Sequence, residues 1–333
     1  MKTIFLCDSV NNFNRVYDGG ARARLQMLTD VENLCYTKAD VLAAPAKFAE
    51  VEYVFSTWGM PALSEEEIQA CLPCLKCVFY AAGSVQGFAR PFLNCGVKVF
   101  SAWAANAVPV AEYAVSQIIL ANKGFFTHAR LLGMGRREDS NRLLSAYPGN
   151  FHAKVGLIGC GMIGSLVAEM LKNYDLEVMA FDPFLSEERA RELGVTVCSL
   201  DRLFASCNVV SNHLANNDRT RGMLTYSHFQ SMPPYAAFLN TGRGAQVVED
   251  DLVRALTERP DLTAVLDVTD PEPSPAGHPF YTLPNCYLTP HIAGSLGGEV
   301  VRMAEYMVQE WADYAAGKPC RYEVTLHMLE TMA

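Results

Sequence analysis

Arg243, Glu272 and His291 each stand shortly past an apolar run that reads as a β-strand: Arg243 after Leu239, Glu272 after Val268 and His291 after Thr289. In an open parallel sheet the carboxyl ends of the strands line the ligand crevice, so residues distant in sequence converge there. A guanidinium, a carboxylate and an imidazole at one edge suit hydride exchange at C2 of a 2-hydroxy or 2-keto acid. Arg243 would grip the substrate carboxylate with a planar two-pronged fork and polarise the C2 oxygen. Histidine changes charge near neutrality, so His291 would serve as acid and base. Glu272 beside it would favour the imidazolium and keep a proton ready for ketone reduction.

Such a reaction needs a hydride carrier, and the chain has a place for one. The run Lys154 to Ile158 predicts a strand that leads directly into Gly159-Cys160-Gly161-Met162-Ile163-Gly164. Behind it Ile163, Val167, Met170 and Leu171 share one face of a helix. Gly159 permits the tight turn, Gly161 lets backbone N–H groups approach a pyrophosphate, and Gly164 lets helix and strand pack closely. The free amides and dipole of the helix N-terminus would stabilise the phosphate charge. Asp182 ends the next predicted strand, Glu177 to Phe181, where it would accept hydrogen bonds from both ribose hydroxyls. Its charge would repel a 2′-phosphate and no arginine follows before Arg189, so NAD is expected rather than NADP.

The elements around these residues alternate as βα units. Strands are predicted at Thr3 to Cys7, Tyr53 to Phe55, Cys77 to Tyr80 and Val97 to Phe100, and in the second half at Asn208 to Asn212, Ala236 to Asn240, Leu262 to Val268 and Cys286 to Thr289. Pro109, with Glu112 just behind it, predicts a helix start and a new unit. A last long helix is predicted over about Val300 to Ala316, stopped by Gly317-Lys318-Pro319.

The chain has 333 residues, half of them apolar and 19% charged, which excludes a disordered protein and suggests about two domains. A net charge of −9 argues against electrostatic binding to nucleic acid or to a lipid surface. No stretch of about 18 uninterrupted apolar residues occurs, and Ile4 to Cys7 is too short for a signal peptide's apolar region, so a cytoplasmic protein is expected. Eleven scattered cysteines fit a reducing compartment. Cys71, Cys74 and Cys77 form a C-x2-C-x2-C run, but Ala81 stands where an iron–sulfur motif would want its fourth ligand, and no metal is expected.

The segments Val155-Gly-Leu-Ile-Gly-Cys-Gly-Met-Ile-Gly, Asn240-Thr-Gly-Arg-Gly, Leu266-Asp-Val-Thr-Asp-Pro-Glu-Pro and Leu288-Thr-Pro-His-Ile-Ala-Gly resemble the signatures of the D-isomer-specific 2-hydroxyacid dehydrogenases. The likeness is strong from about residue 100 to 300. It implies that Arg243 binds substrate, Glu272 pairs with His291, and His291 is the acid/base; formate dehydrogenases of the superfamily use glutamine where Glu272 stands. It implies two doubly wound α/β domains, a Rossmann NAD domain (101–296) inserted into a flavodoxin-like substrate domain made of residues 1–100 and a C-terminal helix in 297–333. It also implies a homodimer joined through the NAD domains.

Cofactor contacts are implied for Gly159, Gly161, Met162, Ile163, Gly164, Asp182, His213, Thr241, Gly242, Arg243, Asp267, His291 and Gly294. Substrate contacts are implied for Gly83 and Ser84 as well as Arg243 and His291. The acidic residue common just after that glycine in the family is replaced by Val85 or Gln86. Plainer roles compete at several positions: a solvated Glu272 in a proline-rich loop, an Asp267 that caps a turn, structural His213 and His278, and a solvated helix face for Arg22 and Arg24. A different class of function is an NAD(H)-sensing binding protein of the corepressor kind, with little turnover.

Overall fold

The computed structural model describes residues 2–330, which divide into two compact units, 2–107 with 295–330, and 108–294. The strands of the first half are β1 (Lys2–Leu6), β2 (Asp30–Tyr36), β3 (Val51–Ser56), β4 (Cys77–Tyr80) and β5 (Lys98–Ser101). Those of the second are β6 (Lys154–Ile158), β7 (Glu177–Phe181), β8 (Thr196–Val197), β9 (Val209–Asn212), β10 (Ala237–Asn240), β11 (Thr263–Leu266) and β12 (Cys286–Leu288), followed near the end by β13 (Glu323–Val324).

The first unit's sheet runs β13-β5-β4-β3-β1-β2, parallel except for the β13 edge. Without that edge it has the 2-1-3-4-5 order of flavodoxin-like sheets. Its centre is an aromatic ladder. Phe55, Phe79 and Phe100 occupy matched positions on β3, β4 and β5 and stack at 5.0 and 4.9 Å. The helix Val300–Ala315 covers this layer with Met303, Met307 and Trp311, the last meeting Tyr53 edge-on.

The second unit's sheet is parallel throughout, ordered β12-β11-β10-β9-β6-β7-β8. Counted within the unit, this is the doubly wound order 3-2-1-4-5-6 with a seventh strand added, and the order reverses between β6 and β9. Side chains alternate between the two faces, as strand geometry requires. Phe238 and Leu266 pack with Phe204 and Phe229 on one side, while Leu239 and Val265 pack with Ala114 and Ile118 on the other.

The expected unit boundaries at 100/101 and 296/297 are corrected to 107/108 and 294/295. The reason is the helix Trp103–Asn122, which is continuous across the first crossing, with Ala105 in the first core and Ala111 in the second unit's core. At the return crossing the Ser295 N–H donates to Asn106 Oδ1 at 3.0 Å, which ties Ser295 to the first unit. Pro109 does not start this helix but sits inside it. Proline lacks the N–H that would bond to the carbonyl of Ala105, so tertiary packing here overrides a local helix-breaking signal. Among the described residues this 20-residue helix is the element long and apolar enough to reach across a bilayer, yet half of its span is packed inside the protein.

Candidate active site

The glycine turn follows β6 and opens the helix Met162–Leu171. Gly159 has φ +87°, a left-handed conformation that glycine adopts without strain, and a Cβ there would press on the His213 carbonyl oxygen at 3.1 Å. A Cβ at Gly164 would collide with the Gly159 carbonyl oxygen. Gly161 differs, because nothing lies within 4 Å of its missing Cβ. The absent side chain leaves a cradle at a helix start that no side chain caps, while Met162 is exposed and Ile163 packs inward. These features fit a dinucleotide pyrophosphate held by free backbone amides.

Asp182 lies just past β7. Its Oδ2 accepts from the Cys160 N–H at 2.7 Å and its Oδ1 from the Phe184 N–H at 2.8 Å, so the carboxylate pins the glycine turn. A carboxylate has about four acceptor positions, and those left over suit ribose hydroxyls. The Cys160 thiol is pushed up to about 12 by burial and is chemically quiet.

His213 follows β9 and is buried. Its Nε2 meets Ser211 Oγ at 3.0 Å and its Nδ1 meets Thr241 Oγ1 at 3.3 Å. Burial pushes its pKa down to about 4, so the ring is neutral at pH 7. It packs beside the glycine turn and meets Thr241.

Arg243 sits in the turn after β10, built by a buried amide network that the sequence did not suggest. Asn212 Nδ2 donates to Asn240 Oδ1 (2.9 Å) and Gln246 Oε1 (2.6 Å); Gln246 Oε1 also accepts from the Arg243 N–H (3.1 Å), and Asn240 Nδ2 donates to the Arg243 carbonyl (3.2 Å). Gly242 N–H adds a bond to Asn240 Oδ1. Such a satisfied network in a low-dielectric interior fixes one backbone geometry. The guanidinium donates to the Gly242 carbonyl at 2.7 Å. Burial pushes its pKa down and the negative charge of Glu272 pulls it back up; arginine stays cationic throughout.

Glu272 Oε1 lies 2.7 Å from His291 Nδ1, with both side chains a little under half exposed. The Glu272 loop is tied down on both sides: Asp270 N–H donates to Glu249, Arg221 pairs with Asp270 at 3.2 Å, and the Tyr281 hydroxyl donates to the Ser274 carbonyl. The His291 loop is held by Asp267, which is buried. Thr289 Oγ1 donates to Asp267 Oδ1 at 2.7 Å, and the Ile292 and Ala293 amides donate to its two oxygens at 2.8 Å each. His291 itself has φ +53°, uncommon for a residue with a side chain. Asp267 thus holds the turn that carries His291.

The second unit therefore gathers Arg243, Glu272 and His291 with the glycine turn, Asp182, His213, Thr241, Gly242 and Asp267 at the carboxyl edge of one sheet; Gly294 is its last residue. Gly83 and Ser84 belong to the first unit, just past β4, where the Gly83 carbonyl accepts from Ser101 Oγ at 2.6 Å and Ser84 is exposed. Val85 is buried in the first core, and Gln86 donates to the Leu329 carbonyl. Cys71 and Cys77 are buried and Cys74 is exposed. Among the described residues no three His, Cys, Asp or Glu side chains gather to hold a metal ion.

Residues 116–293 match the family described as D-isomer specific 2-hydroxyacid dehydrogenase, NAD binding domain, which covers more than half of the chain. The chain belongs to this family. It carries the family's NAD-binding domain. Similar curated proteins include a D-3-phosphoglycerate dehydrogenase of Archaeoglobus fulgidus, 30% identical over 71% of this chain and 44% of that protein. Another is a glyoxylate reductase of Aeropyrum pernix, 35% identical over 49% of each. The chain thus spans less than half the length of the phosphoglycerate dehydrogenase. Among solved structures, the NAD-complexed D-isomer specific 2-hydroxyacid dehydrogenase of Lactobacillus delbrueckii ssp. bulgaricus matches with a TM-score of 0.76, 21% identity, 98% of this chain and all of that one. That likeness concerns the fold, two parallel-sheet α/β units with a Rossmann NAD-binding unit.

Proposed function

We propose that the chain is an NAD-dependent D-2-hydroxyacid dehydrogenase acting on a small 2-keto or 2-hydroxy acid of the glyoxylate or hydroxypyruvate kind. The observation that carries this reading is the 2.7 Å Glu272–His291 pair, with the Arg243 cation within reach of the Glu272 charge. NADH, when bound, supplies a hydride to C2 of the keto acid. Arg243 holds the substrate carboxylate and draws electron density toward the C2 oxygen. With Nδ1 donating to Glu272, Nε2 of His291 carries the proton given to that oxygen in reduction and takes it back in oxidation. Gly294 borders the cofactor.

A homodimer joined through the second unit completes the proposal, in a cytoplasmic protein. Its support is the row of exposed apolar side chains between residues 125 and 151: Phe125, Leu132, Met134, Leu144 and Phe151. Light scattering of the purified chain reads the assembly; a monomer rejects it.

The test of the activity is NADH consumption with glyoxylate, hydroxypyruvate, pyruvate, phosphohydroxypyruvate and branched keto acids. Turnover on one or more of them upholds the reading. Tight NADH binding with no turnover on any of them replaces it with an NAD(H)-sensing binding protein.

A further inference from the structure

We infer that Tyr113 and Thr289 are positioning residues for His291, acting through Asp267 from the far side of the catalytic turn. This rests on the reading of His291 as the acid/base. The Tyr113 hydroxyl lies 3.1 Å from Thr289 Oγ1, which lies 2.7 Å from Asp267 Oδ1. The direction of the chain follows from the donor inventory. A carboxylate only accepts, and threonine has one hydroxyl hydrogen, so Thr289 gives that hydrogen to Asp267 and Tyr113 must donate to Thr289. Tyr113 is suited to this, since burial pushes its phenol up and keeps the proton on it.

Downstream, the same Asp267 oxygen also accepts from Ile292 N–H, the other from Ala293 N–H, and the Asp267 carbonyl accepts from His291 N–H at 3.0 Å. His291 is thus bracketed on both sides by groups bonded to one aspartate, while its own backbone occupies the left-handed region. Such a conformation persists where the surroundings over-determine it. Tyr113 supplies the outermost constraint. Its donation fixes the Thr289 rotor, which keeps the Thr289 hydrogen aimed at Asp267 and the turn closed around the carboxylate. Tyr113 stands on the helix Trp103–Asn122, 176 residues from Thr289 in the chain, so a rigid helix rather than a loop anchors the relay.

The experiment compares wild type with Tyr113→Phe, Thr289→Val, Thr289→Ser and the Phe/Val double variant, measuring kcat and KM for NADH and keto acid. Misaiming an acid/base costs up to about 100-fold, so Tyr113→Phe and Thr289→Val are expected to lower kcat by about 10- to 100-fold at unchanged KM for NADH. Thr289→Ser keeps the hydroxyl and retains turnover, and the double variant is no worse than the poorer single one. Wild-type kcat in Tyr113→Phe, losses that multiply in the double variant, or a Thr289→Ser as poor as Thr289→Val would overturn the relay. If wild type turns over none of the panel, the dehydrogenase reading falls instead. The relay is then judged by ¹⁵N spectra of the His291 ring: resonances broadened or split in Tyr113→Phe uphold it, and an unchanged spectrum overturns it.

Discussion

Glu272 Oε1 accepts from His291 Nδ1 at 2.7 Å, across a gap of 19 residues that contains the whole of β12. The carboxylate selects which ring nitrogen faces it and leaves Nε2 free for a substrate oxygen. Because Glu272 also acts on Arg243, one side chain orients the imidazole and favours the charge of the guanidinium.

Replacing His291 with Ala removes the proposed proton donor. General acid–base catalysis contributes about 10²- to 10⁴-fold, so NADH oxidation should fall by that factor while NADH binding, followed by fluorescence, is kept. Turnover near the wild-type rate would reject the assignment.

Arg243→Gln leaves the amide network in place but removes the charged fork. A hydrogen bond to a charged group contributes about 2–3 kcal/mol, so kcat/KM for the keto acid should drop roughly 100-fold with KM for NADH little changed. A loss confined to NADH binding would place Arg243 on the cofactor instead.

Gly164→Ala forces a methyl group onto the Gly159 carbonyl oxygen. Overpacking of this kind costs about 1–3 kcal/mol and here also displaces the first turn of the helix that receives the pyrophosphate. Thermal unfolding should shift down and NADH affinity should weaken together. Gly161→Ala has open space around it, so it should leave the melting temperature unchanged and weaken NADH alone.

His213 predicts an acid sensitivity. The unfolded chain protonates this histidine below about pH 6.5, whereas burial holds the folded ring neutral until about pH 4. Unfolded molecules therefore bind more protons in that window, and stability falls as pH drops from about 6.5 toward 4, by up to ~3 kcal/mol. Urea unfolding midpoints of His213→Asn, measured at pH 7 and pH 4.5, should differ less than those of wild type. An equal difference would show that His213 does not titrate this way.

Asp267→Asn keeps the shape but turns one acceptor into a donor aimed at an N–H or hydroxyl. The turn bearing His291 should loosen, lowering kcat with little change in NADH affinity, and amide exchange at Ile292 and Ala293 should quicken. Unchanged exchange at both amides would show that the clamp is idle.

The amino-acid sequence by itself determined the features that local rules govern. Glycine spacing behind a strand specified the turn at 159–164, apolar runs specified β6, β7 and β9 to β12, and strand-end positions brought Arg243, Glu272 and His291 to one sheet edge. It missed β2, β8 and β13, all at or near sheet edges, where half-exposed strands lack a continuous apolar run. It read Pro109 as a helix start because proline's local preference says so, while burial of the helix around it decided otherwise. Nor did it contain any sign that Asn212, Asn240 and Gln246 form one buried network, or that Tyr113 reaches Thr289. Those contacts join residues up to 176 positions apart, and hydrogen-bonding side chains carry no periodic signature; only the folded path of the chain sets which donor meets which acceptor.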